Sequence, residues 1–231
     1  MILEQWFDLE SSTYTYLIAD ELSGDAALID PVLSESDFYI NESQKRELAI
    51  KYILDTHTHA DHISANGQLR DQIGAQTWLG KESKSSCIDH KFVDGTEIKV
   101  GSLTITALHT PGHTDDSYSF HVKNNGQNCL FTGDTLLING SGRTDFQQGD
   151  AGTQYESIFN KLLSYPDDTI VYPGHDYSGN RQSTVGKEKA NNPRLQVKNK
   201  AAYIELMNNL NLPNPKLMDV AVPANQACGK V

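Results

Sequence analysis

Short hydrophobic segments that end in polar loops recur along the chain. YTYLIAD and DAALIDPV lie on either side of the turn residues Ser23-Gly24-Asp25, an arrangement that predicts a β-hairpin. Further along, four short apolar or β-branched segments each lead into a polar loop: KYILDTHTHADH, LTITALHTPGHTDD, NCLFTGDTLL and TIVYPGHDY. Segments of this length and composition predict β-strands.

Helical patterns separate these strands. NESQKRELAI has a helical composition without Gly or Pro, and Asn41 or Ser43 is a candidate N-cap. Helices are also predicted for SANGQLRDQIGA, for YESIFNKLLSYP and from about residue 187 to residue 210. The proline-rich ending NLNLPNPKLMDVAVPANQ is predicted to be extended. Strands that alternate with helices predict an α/β fold.

The first polar loop concentrates groups that can bind a metal ion. It contains His57, His59, Asp61 and His62 within six residues of chain. Imidazole and carboxylate are ordinary protein ligands of transition metals. The alternative is a polar loop with incidental histidines, but neutral histidine is the commonest metal ligand and an average loop seldom contains three. We therefore expect a metal site.

The other three loops supply His113, Asp134 and His175. The tripeptide Pro-Gly-His occurs twice, at 111–113 and 173–175, and its glycine permits a sharp bend after the strand. Taken singly, each of the three residues would be interpreted as an ordinary turn residue. Ligand sites of α/β sheets, however, lie at the carboxyl ends of the strands, so the four loops are expected to meet in one pocket. Three histidines lie outside this pattern and are predicted to be structural or surface residues: His90, His109 and His121.

Length and charge limit the domain organisation and the binding partners expected for this protein. The 231 residues are predicted to form one domain, 1–231. A net charge of -11 argues against nucleic acid as a partner. No apolar run approaches the roughly 18 residues that a membrane span needs. The start MILEQWFDLE lacks the basic and apolar regions of a secretory signal, so a cytoplasmic location is predicted.

The cysteines are few and far apart. Cys87, Cys129 and Cys228 are odd in number and form no CxxC pair, so neither a disulfide framework nor a thiolate zinc site is predicted. This usage fits a reducing compartment. Cys129 lies in the apolar run NCLF and is predicted to be buried. Cys228 is expected to be an inert terminal cysteine, with an exposed reactive thiol as the alternative.

Four motifs carry a resemblance to a known superfamily. THTHADH, PGHTDD, TGDTL and PGHDY occur in this order over some 120 residues and resemble the metal-binding motifs of the metallo-β-lactamase superfamily. The resemblance implies an αββα sandwich with its site at one edge, here followed by a short helical and extended C-terminal tail. Hydrolases, lactonases, nucleases and oxidoreductases share this fold, so the fold alone does not settle the activity.

A narrower resemblance comes from four other stretches. They are INGSGRTDFQQG at 138–149, HDYSG at 175–179, NNPRL at 191–195 and NLNLPNPKLMDVAVPANQACG at 209–229, and they resemble the persulfide dioxygenases. This resemblance implies an Fe(II) enzyme, with one iron per subunit, that uses O2 to oxidise glutathione persulfide to sulfite and glutathione. Glyoxalase II is similar in the metal motifs but not in the GRTDFQQG loop or in this ending.

The family's iron ligands correspond to His57, His113 and Asp134. Two histidines and one carboxylate with open coordination positions suit non-haem iron, whereas zinc has no redox chemistry. The chain also contains the groups with which two-zinc relatives complete a dinuclear site, namely His59, Asp61, His62 and His175. They either orient the iron ligands or hold a second metal ion, and the spacing leaves both alternatives open.

Glutathione carries two carboxylates, so a local cation is expected in this acidic protein. Arg143, between two small neighbours, is the first candidate, because its planar guanidinium matches a carboxylate. The alternative is a surface arginine paired with Asp145. Tyr177 is predicted to donate its hydroxyl to the substrate, with a core tyrosine as the alternative. Arg194 is a weaker candidate, since it could be a solvated charge.

Three functions remain in competition. A persulfide dioxygenase is favoured, and a glyoxalase II-like glutathione thioester hydrolase with a dinuclear metal site is the alternative. O2 consumption and thioester cleavage distinguish these two activities. A binding protein on an inactive fold is less favoured, because it would have no reason to keep every ligand position filled. The oligomeric state, including a homodimer, stays open.

Overall fold

Two β-sheets form the middle of the fold in the computed structural model, which describes residues 1–213 and 217–229. Within these residues each sheet has six strands. The first sheet contains, in spatial order, β1 (Ile2–Phe7), β2 (Tyr14–Ala19), β3 (Asp25–Ile29), β4 (Ala49–Leu54), β5 (Gln76–Gly80) and β6 (His90–Phe92). The second contains, again in spatial order, β12 (Ser183–Thr184), β11 (Ile170–Tyr172), β10 (Gln127–Phe131), β9 (Tyr118–Asn124), β8 (Leu103–His109) and β7 (Glu97–Val100).

Both sheets are mixed. In the first, β1, β2 and β3 are antiparallel, whereas β3, β4, β5 and β6 run parallel. In the second, β10 and β11 run parallel and the other neighbours are antiparallel. The predicted hairpin is confirmed, with Tyr16 opposite Ile29 and Ala19 opposite Ala26. The four strands predicted before the polar loops are confirmed as β4, β8, β10 and β11.

Five of the six α-helices in the described part of the chain lie on the outer faces of the two sheets, and the last one packs against the loops near His59 and Cys87. The helices are α1 (Ser36–Lys45), α2 (Asn66–Ile73), α3 (Ala151–Glu156), α4 (Val185–Asn191), α5 (Lys200–Asn208) and α6 (Met218–Gln226). A π-helical turn, Ser157–Lys161, and a 3-10 turn, Leu162–Ser164, continue α3, and another 3-10 turn, Leu33–Glu35, precedes α1. No helix in the described part of the chain is long and apolar enough to cross a membrane.

Three apolar cores hold these layers together. Successive side chains of a strand point to opposite faces, so in β2 Tyr16 and Ile18 face the second sheet while Leu17 and Ala19 join the core beneath α1 and α2. On the other side, Leu130 and Val171 of the second sheet pack with Ile158 and further side chains of α4 and α5. The layer order is therefore helix, sheet, sheet, helix, which confirms the predicted αββα sandwich.

Two helix predictions need correction. The helix expected over NESQKRELAI begins earlier, at Ser36, and ends at Lys45, because Ala49 and Ile50 pair with β3 as the start of β4. Asn41 and Ser43 therefore lie inside the helix and are not its N-cap. The proline-rich ending is not extended throughout, since α6 is helical despite Pro223. Tertiary packing explains α6, because Ala221, Ala224 and Asn225 are buried against the rest of the chain.

The prediction that the cysteines form no disulfide is wrong. Cys87 and Cys228 are joined by a disulfide, with their Cα atoms 6.1 Å apart and a sequence separation of 141. The fold brings them together because α6 returns to the loop after β5. Cys228 is consequently neither an exposed thiol nor a free terminal cysteine, and the cysteines no longer support a reducing compartment. The burial predicted for Cys129 is confirmed.

This cross-link generates a prediction about stability. Closing so long a loop restricts the unfolded chain, so the Cys87→Ser variant should lose about 2 to 4 kcal/mol of unfolding free energy. Urea denaturation with and without a thiol reductant measures the loss. The reductant should destabilise the wild-type chain and leave Cys87→Ser unchanged. An unchanged wild-type midpoint under reducing conditions would contradict the prediction.

Candidate metal centre

The loop after β4 is fixed by the buried carboxylate of Asp30, which follows β3. Asp30 accepts the backbone N–H of Thr56 at 2.7 Å and its hydroxyl at 2.9 Å. The carbonyl of Thr56 in turn accepts the N–H of Tyr118 at 2.7 Å, which ties the loop to the second sheet. Burial raises the pKa of Asp30 to about 6, although His57 and Thr56 favour its ionised form. The loop is thus held at its first residues by hydrogen bonds.

His57, His113 and Asp134 come together at the edge shared by the two sheets. One potential ligand atom from each lies within 4.8 Å of the others. The Thr56 hydroxyl donates to Asp30 and therefore accepts the hydrogen of His57 Nδ1, at 2.9 Å. His113 Nδ1 donates to the carbonyl oxygen of Arg143 at 2.7 Å. With Nδ1 protonated, each ring keeps the lone pair of Nε2 for a metal ion.

His175 links these three side chains to Asp61 in the loop after β4. Its Nδ1 lies 2.6 Å from Asp134 Oδ1 and its Nε2 lies 2.9 Å from Asp61 Oδ2. His62 Nδ1 also approaches Asp61 Oδ2, at 2.7 Å. Ligand atoms of His59, Asp61 and His62 lie within 4.8 Å of one another, which makes a second candidate metal set. The structure therefore assembles all seven residues that the sequence analysis assigned to the site.

The charges of the first set suit metal binding. Burial, followed by the neighbouring His59 and His113, lowers the pKa of His57 to about 3, so its imidazole is neutral at pH 7. Burial alone would raise the pKa of Asp134, but the neighbouring His175 outweighs it and holds this pKa well below its usual value. Neutral imidazole and ionised carboxylate are the forms that bind metal ions.

Two buried nitrogen atoms support a metal ion at this cluster. His59 Nε2 lies 3.1 Å from Asp30 Oδ1, while the other nitrogen, Nδ1, has no hydrogen-bond partner among the described residues. His62 Nε2 likewise has no partner in this part of the chain. A buried polar atom without a partner is costly unless something else binds it. The donor set therefore fits a metal ion.

Glycines allow the backbone to pass close to these ligands. Gly112 of the first Pro-Gly-His has a φ of +134°, which confirms the bend predicted there. At Gly174 of the second tripeptide the reason is different, since an added Cβ would lie 2.8 Å from Asp134 Oδ1. A side chain at Gly174 would displace Asp134 from its position.

Sequence reasoning missed four buried residues that support the site: Thr13, Asp30, Asp55 and Asn225. Asp55 accepts hydrogen bonds from Ser64 and Asn66 and so fixes the end of the loop. Asn225 donates to the carbonyl oxygens of His59 and His62, both at 2.9 Å. Asp30 could have been found, because it ends a strand in ALIDP as Asp55 does in YILD. No local signal identifies Thr13 or Asn225.

A cavity of ≈ 520 Å³ opens onto the cluster. It is lined by His113, Asp134 and His175 from the cluster and by the three residues predicted to bind substrate, Arg143, Tyr177 and Arg194. Tyr177 is 78% exposed and stacks on His175 with ring centroids 6.2 Å apart, so it is not a core tyrosine. The cavity therefore joins the predicted substrate residues to the predicted metal ligands.

The two arginines of the cavity differ in their partners. Arg143 pairs with both carboxylate oxygens of Asp145, at 2.6 and 2.7 Å, and also donates to the carbonyl of Pro213 at 2.6 Å. Arg194 is half-buried and donates to Met207 Sδ at 3.3 Å, but no described carboxylate forms an ion pair with it. Burial lowers the pKa of this guanidinium. Arg194 is thus the cavity arginine with spare hydrogen-bond donors.

The histidines outside the pattern have other contacts. His90 stacks on Trp78, with ring centroids 4.4 Å apart. His109 Nε2 lies 3.1 Å from the carbonyl oxygen of Asp115, and His121 Nε2 lies 2.9 Å from Asn128 Oδ1. They pack at the surface or against neighbouring strands, as expected, and belong to none of the candidate metal sets.

Known proteins share this combination of fold and site. The family model of the metallo-beta-lactamase superfamily matches residues 9–175. The persulfide dioxygenase ETHE1 of Mus musculus, a mitochondrial protein, is 42% identical over 230 residues, which cover 99% of this chain and 89% of that protein. The chain belongs to the metallo-beta-lactamase superfamily, and within it to the persulfide dioxygenases.

A solved structure and a hydrolase relative show how far along the chain each similarity extends. The crystal structure of ETHE1 from Myxococcus xanthus superimposes with a TM-score of 0.96 at 48% identity, over 100% of both chains. The probable hydroxyacylglutathione hydrolase glo2 of Schizosaccharomyces pombe is 34% identical over 169 residues, which cover 72% of this chain and 65% of that protein. The similarity to persulfide dioxygenases extends further along the chain than this similarity to a glyoxalase II-type hydrolase.

The geometry predicts different effects for two neighbouring substitutions. Asp134→Ala removes the anionic member of the first set and should abolish metal retention. His175→Ala removes a hydrogen bond to Asp134, so metal affinity should fall by roughly 10- to 100-fold without emptying the site. His62→Ala should also retain the ion. Elemental analysis after dialysis measures the metal content of each variant.

The folding of each variant is checked by its thermal unfolding in the presence of a chelator. If His175→Ala lost metal as completely as Asp134→Ala, the two sets would act together as a dinuclear centre.

Proposed function

We propose that the chain is a persulfide dioxygenase that oxidises glutathione persulfide with O2. The observation that carries the proposal is the similarity to persulfide dioxygenases over 99% of the chain. The reaction consumes one glutathione persulfide, one O2 and one water and yields glutathione and sulfurous acid, which ionises to sulfite. The outer sulfur loses four electrons and O2 gains them, so atoms and electrons balance without another reductant.

We propose iron(II), one ion per chain, held by His57, His113 and Asp134. Two histidines and one carboxylate that leave open coordination positions are the ligand set of non-haem iron oxygenases. When bound, iron supplies the change of redox state that O2 activation needs and that zinc lacks. This assignment of metal and ligands is supported by the clustering of the three side chains and by the neutral state of His57.

The protein orients these ligands through fixed hydrogen bonds. Thr56 and the carbonyl of Arg143 hold the two imidazole rings, and His175 holds one oxygen of Asp134. Partners of this kind fix the ring orientation and raise the basicity of the ligands. The other oxygen of Asp134, Oδ2, lies 3.6 Å from His113 Nε2, on the side of the first ligand set.

The substrate carboxylates need a cation, because a net charge of -11 repels them. We propose that Arg194 binds one glutathione carboxylate, since its donors have no carboxylate partner in the described chain. Arg143 remains a candidate, but it would have to exchange Asp145 for the substrate. Tyr177, exposed beside His175, is proposed to donate its hydroxyl to the glutathione peptide or the sulfur end. These residues place the sulfur of the substrate next to the metal ligands.

Thioester hydrolysis with a dinuclear metal site is the second candidate. The set of His59, Asp61 and His62 favours it, because these residues could hold a second ion. The similarity to a probable hydroxyacylglutathione hydrolase points in the same direction. In this alternative, O2 would not be consumed and a glutathione thioester would be cleaved.

Other properties of the chain stay predictions. We propose that residues 1–231 form one domain and that the chain has no nucleic-acid partner, given its charge. A cytoplasmic location stays a prediction, although the mouse relative is named as mitochondrial, and the oligomeric state, including a homodimer, stays open.

The activity has a direct test. The purified chain should contain about one iron per subunit and consume O2 only when glutathione persulfide is supplied, because the metal needs the persulfide as its electron donor. Elemental analysis gives the metal content and an oxygen electrode gives the rate. A glutathione thioester serves as the control substrate. Thioester cleavage by a two-zinc, iron-free preparation would overturn the proposal.

Substitution of the cavity arginines tests substrate binding. Loss of charge-assisted hydrogen bonds costs about 1.5 to 3 kcal/mol, so Arg194→Ala should lower kcat/KM roughly 10- to 150-fold at unchanged iron content. Arg194→Lys should recover only part of the loss. Arg143→Ala should have a smaller effect, because Asp145 already pairs with its guanidinium. Steady-state oxygen uptake over a range of glutathione persulfide concentrations measures these changes.

Arg46→Ala is the matched control. Arg46 follows α1, pairs with Glu42 and is not among the residues that line the cavity at the cluster. Its removal should leave kcat/KM unchanged. A larger loss in Arg143→Ala than in Arg194→Ala would place the carboxylate at Arg143.

A further inference from the structure

The second ligand set lies against a buried hydroxyl that the reaction does not require. Thr13 precedes β2 and has no solvent exposure. Its Oγ1 lies 3.0 Å from Asp61 Oδ2, 3.0 Å from His175 Nε2 and 3.3 Å from His62 Nδ1. One hydroxyl group thus approaches two members of the second set, Asp61 and His62, and also His175.

Hydrogen-bond chemistry shows how these side chains are engaged. An ionised carboxylate oxygen can only accept, so the Thr13 hydroxyl donates to Asp61 Oδ2. His62 Nδ1 and His175 Nε2 approach the same oxygen at 2.7 and 2.9 Å and donate to it as well. Asp61 Oδ2 is therefore surrounded by three donors, and an ion at the second set must displace them to reach this oxygen.

The backbone holds Thr13 in this place. Thr13 forms an antiparallel bridge with His175, and the next N–H, that of Tyr14, donates to the carbonyl of Gly174 at 2.8 Å. The N–H of Asp8 donates to the Thr13 carbonyl at 2.9 Å. Because the backbone of Thr13 is hydrogen-bonded on both sides, its hydroxyl stays beside the second set without a metal ion.

We propose that Thr13 is a positioning residue that keeps Asp61 of the second ligand set in hydrogen bonds and thereby restricts the centre to one metal ion. A second ion must break the hydrogen bonds around Asp61 Oδ2. The first set is not affected, because the Thr13 hydroxyl forms no hydrogen bond with the described side chains of His57, His113 and Asp134. This inference rests on the proposed function only in taking the first set as the site of the single ion.

The test counts metal ions in variants that lack the hydroxyl. Thr13→Val keeps the branched shape, Thr13→Ala removes both branches, and Thr13→Ser keeps the hydroxyl as a matched control. Full-length protein that carries one equivalent of iron(II) is dialysed anaerobically against a graded series of Zn2+ concentrations. Elemental analysis then gives the total metal per chain, and thermal unfolding confirms that each variant folds.

The wild-type chain and Thr13→Ser should stay near one metal per chain over a range in which Thr13→Val and Thr13→Ala approach two. The concentration of free zinc that half-fills the second set should be at least about 10-fold lower without the hydroxyl, since the ion then no longer has to break this hydrogen bond to a charged carboxylate. A merely structural role would lower the unfolding temperature without adding a metal ion.

Coincident zinc curves for the wild-type chain and the hydroxyl-free variants would overturn the inference. If Thr13→Val does not fold, Thr13→Ala decides in the same way. Oxygen uptake on glutathione persulfide by the wild-type chain is measured in parallel. Absence of oxygen uptake would count against the proposed function, whereas the zinc curves decide the role of Thr13 alone.

Discussion

The structure depends on keeping a buried cluster of imidazoles and carboxylates hydrogen-bonded. A buried polar group without a hydrogen-bond partner is costly. The loop after β4 contains too many such groups for all of them to bind to one another. Asp30 forms hydrogen bonds with several of these groups at the start of the loop, and Asn225 does the same at its middle. The two side chains come from opposite ends of the sequence, so the loop has its shape only in the complete fold.

The sandwich brings the ligands together because its strands end at a common edge. The loops after β4, β10 and β11 and the loop between β8 and β9 each contribute a side chain, and strand pairing sets the spacing of these loops. The rigid sheets therefore determine the distances between ligands, while hydrogen bonds from backbone carbonyls and hydroxyls determine the ring orientations. A cluster built in this way needs little reorganisation when an ion binds.

The same hydrogen bonds make the two ligand sets differ in how readily they can bind a metal ion. In the first set, Nδ1 of each histidine is bound to oxygen and Nε2 is free. In the second set, the donors around Asp61 compete with an ion for the carboxylate. The number of ions that this cluster holds then depends on the Thr13 hydroxyl as well as on the ligands themselves.

The sequence by itself determined the four strands before the polar loops and all seven residues of the cluster, because strand periodicity and the ligand motifs are local signals. The layer order followed only from the resemblance of these motifs to a known superfamily. The sequence did not determine the Cys87–Cys228 disulfide, the helix α6 or the support by Thr13 and Asn225. Nor did it show that Asp145 already pairs with Arg143 while Arg194 lacks such a partner among the described residues. Each of these features joins segments far apart in the chain or depends on which neighbour a side chain meets, so only the packing of the tertiary structure decided it.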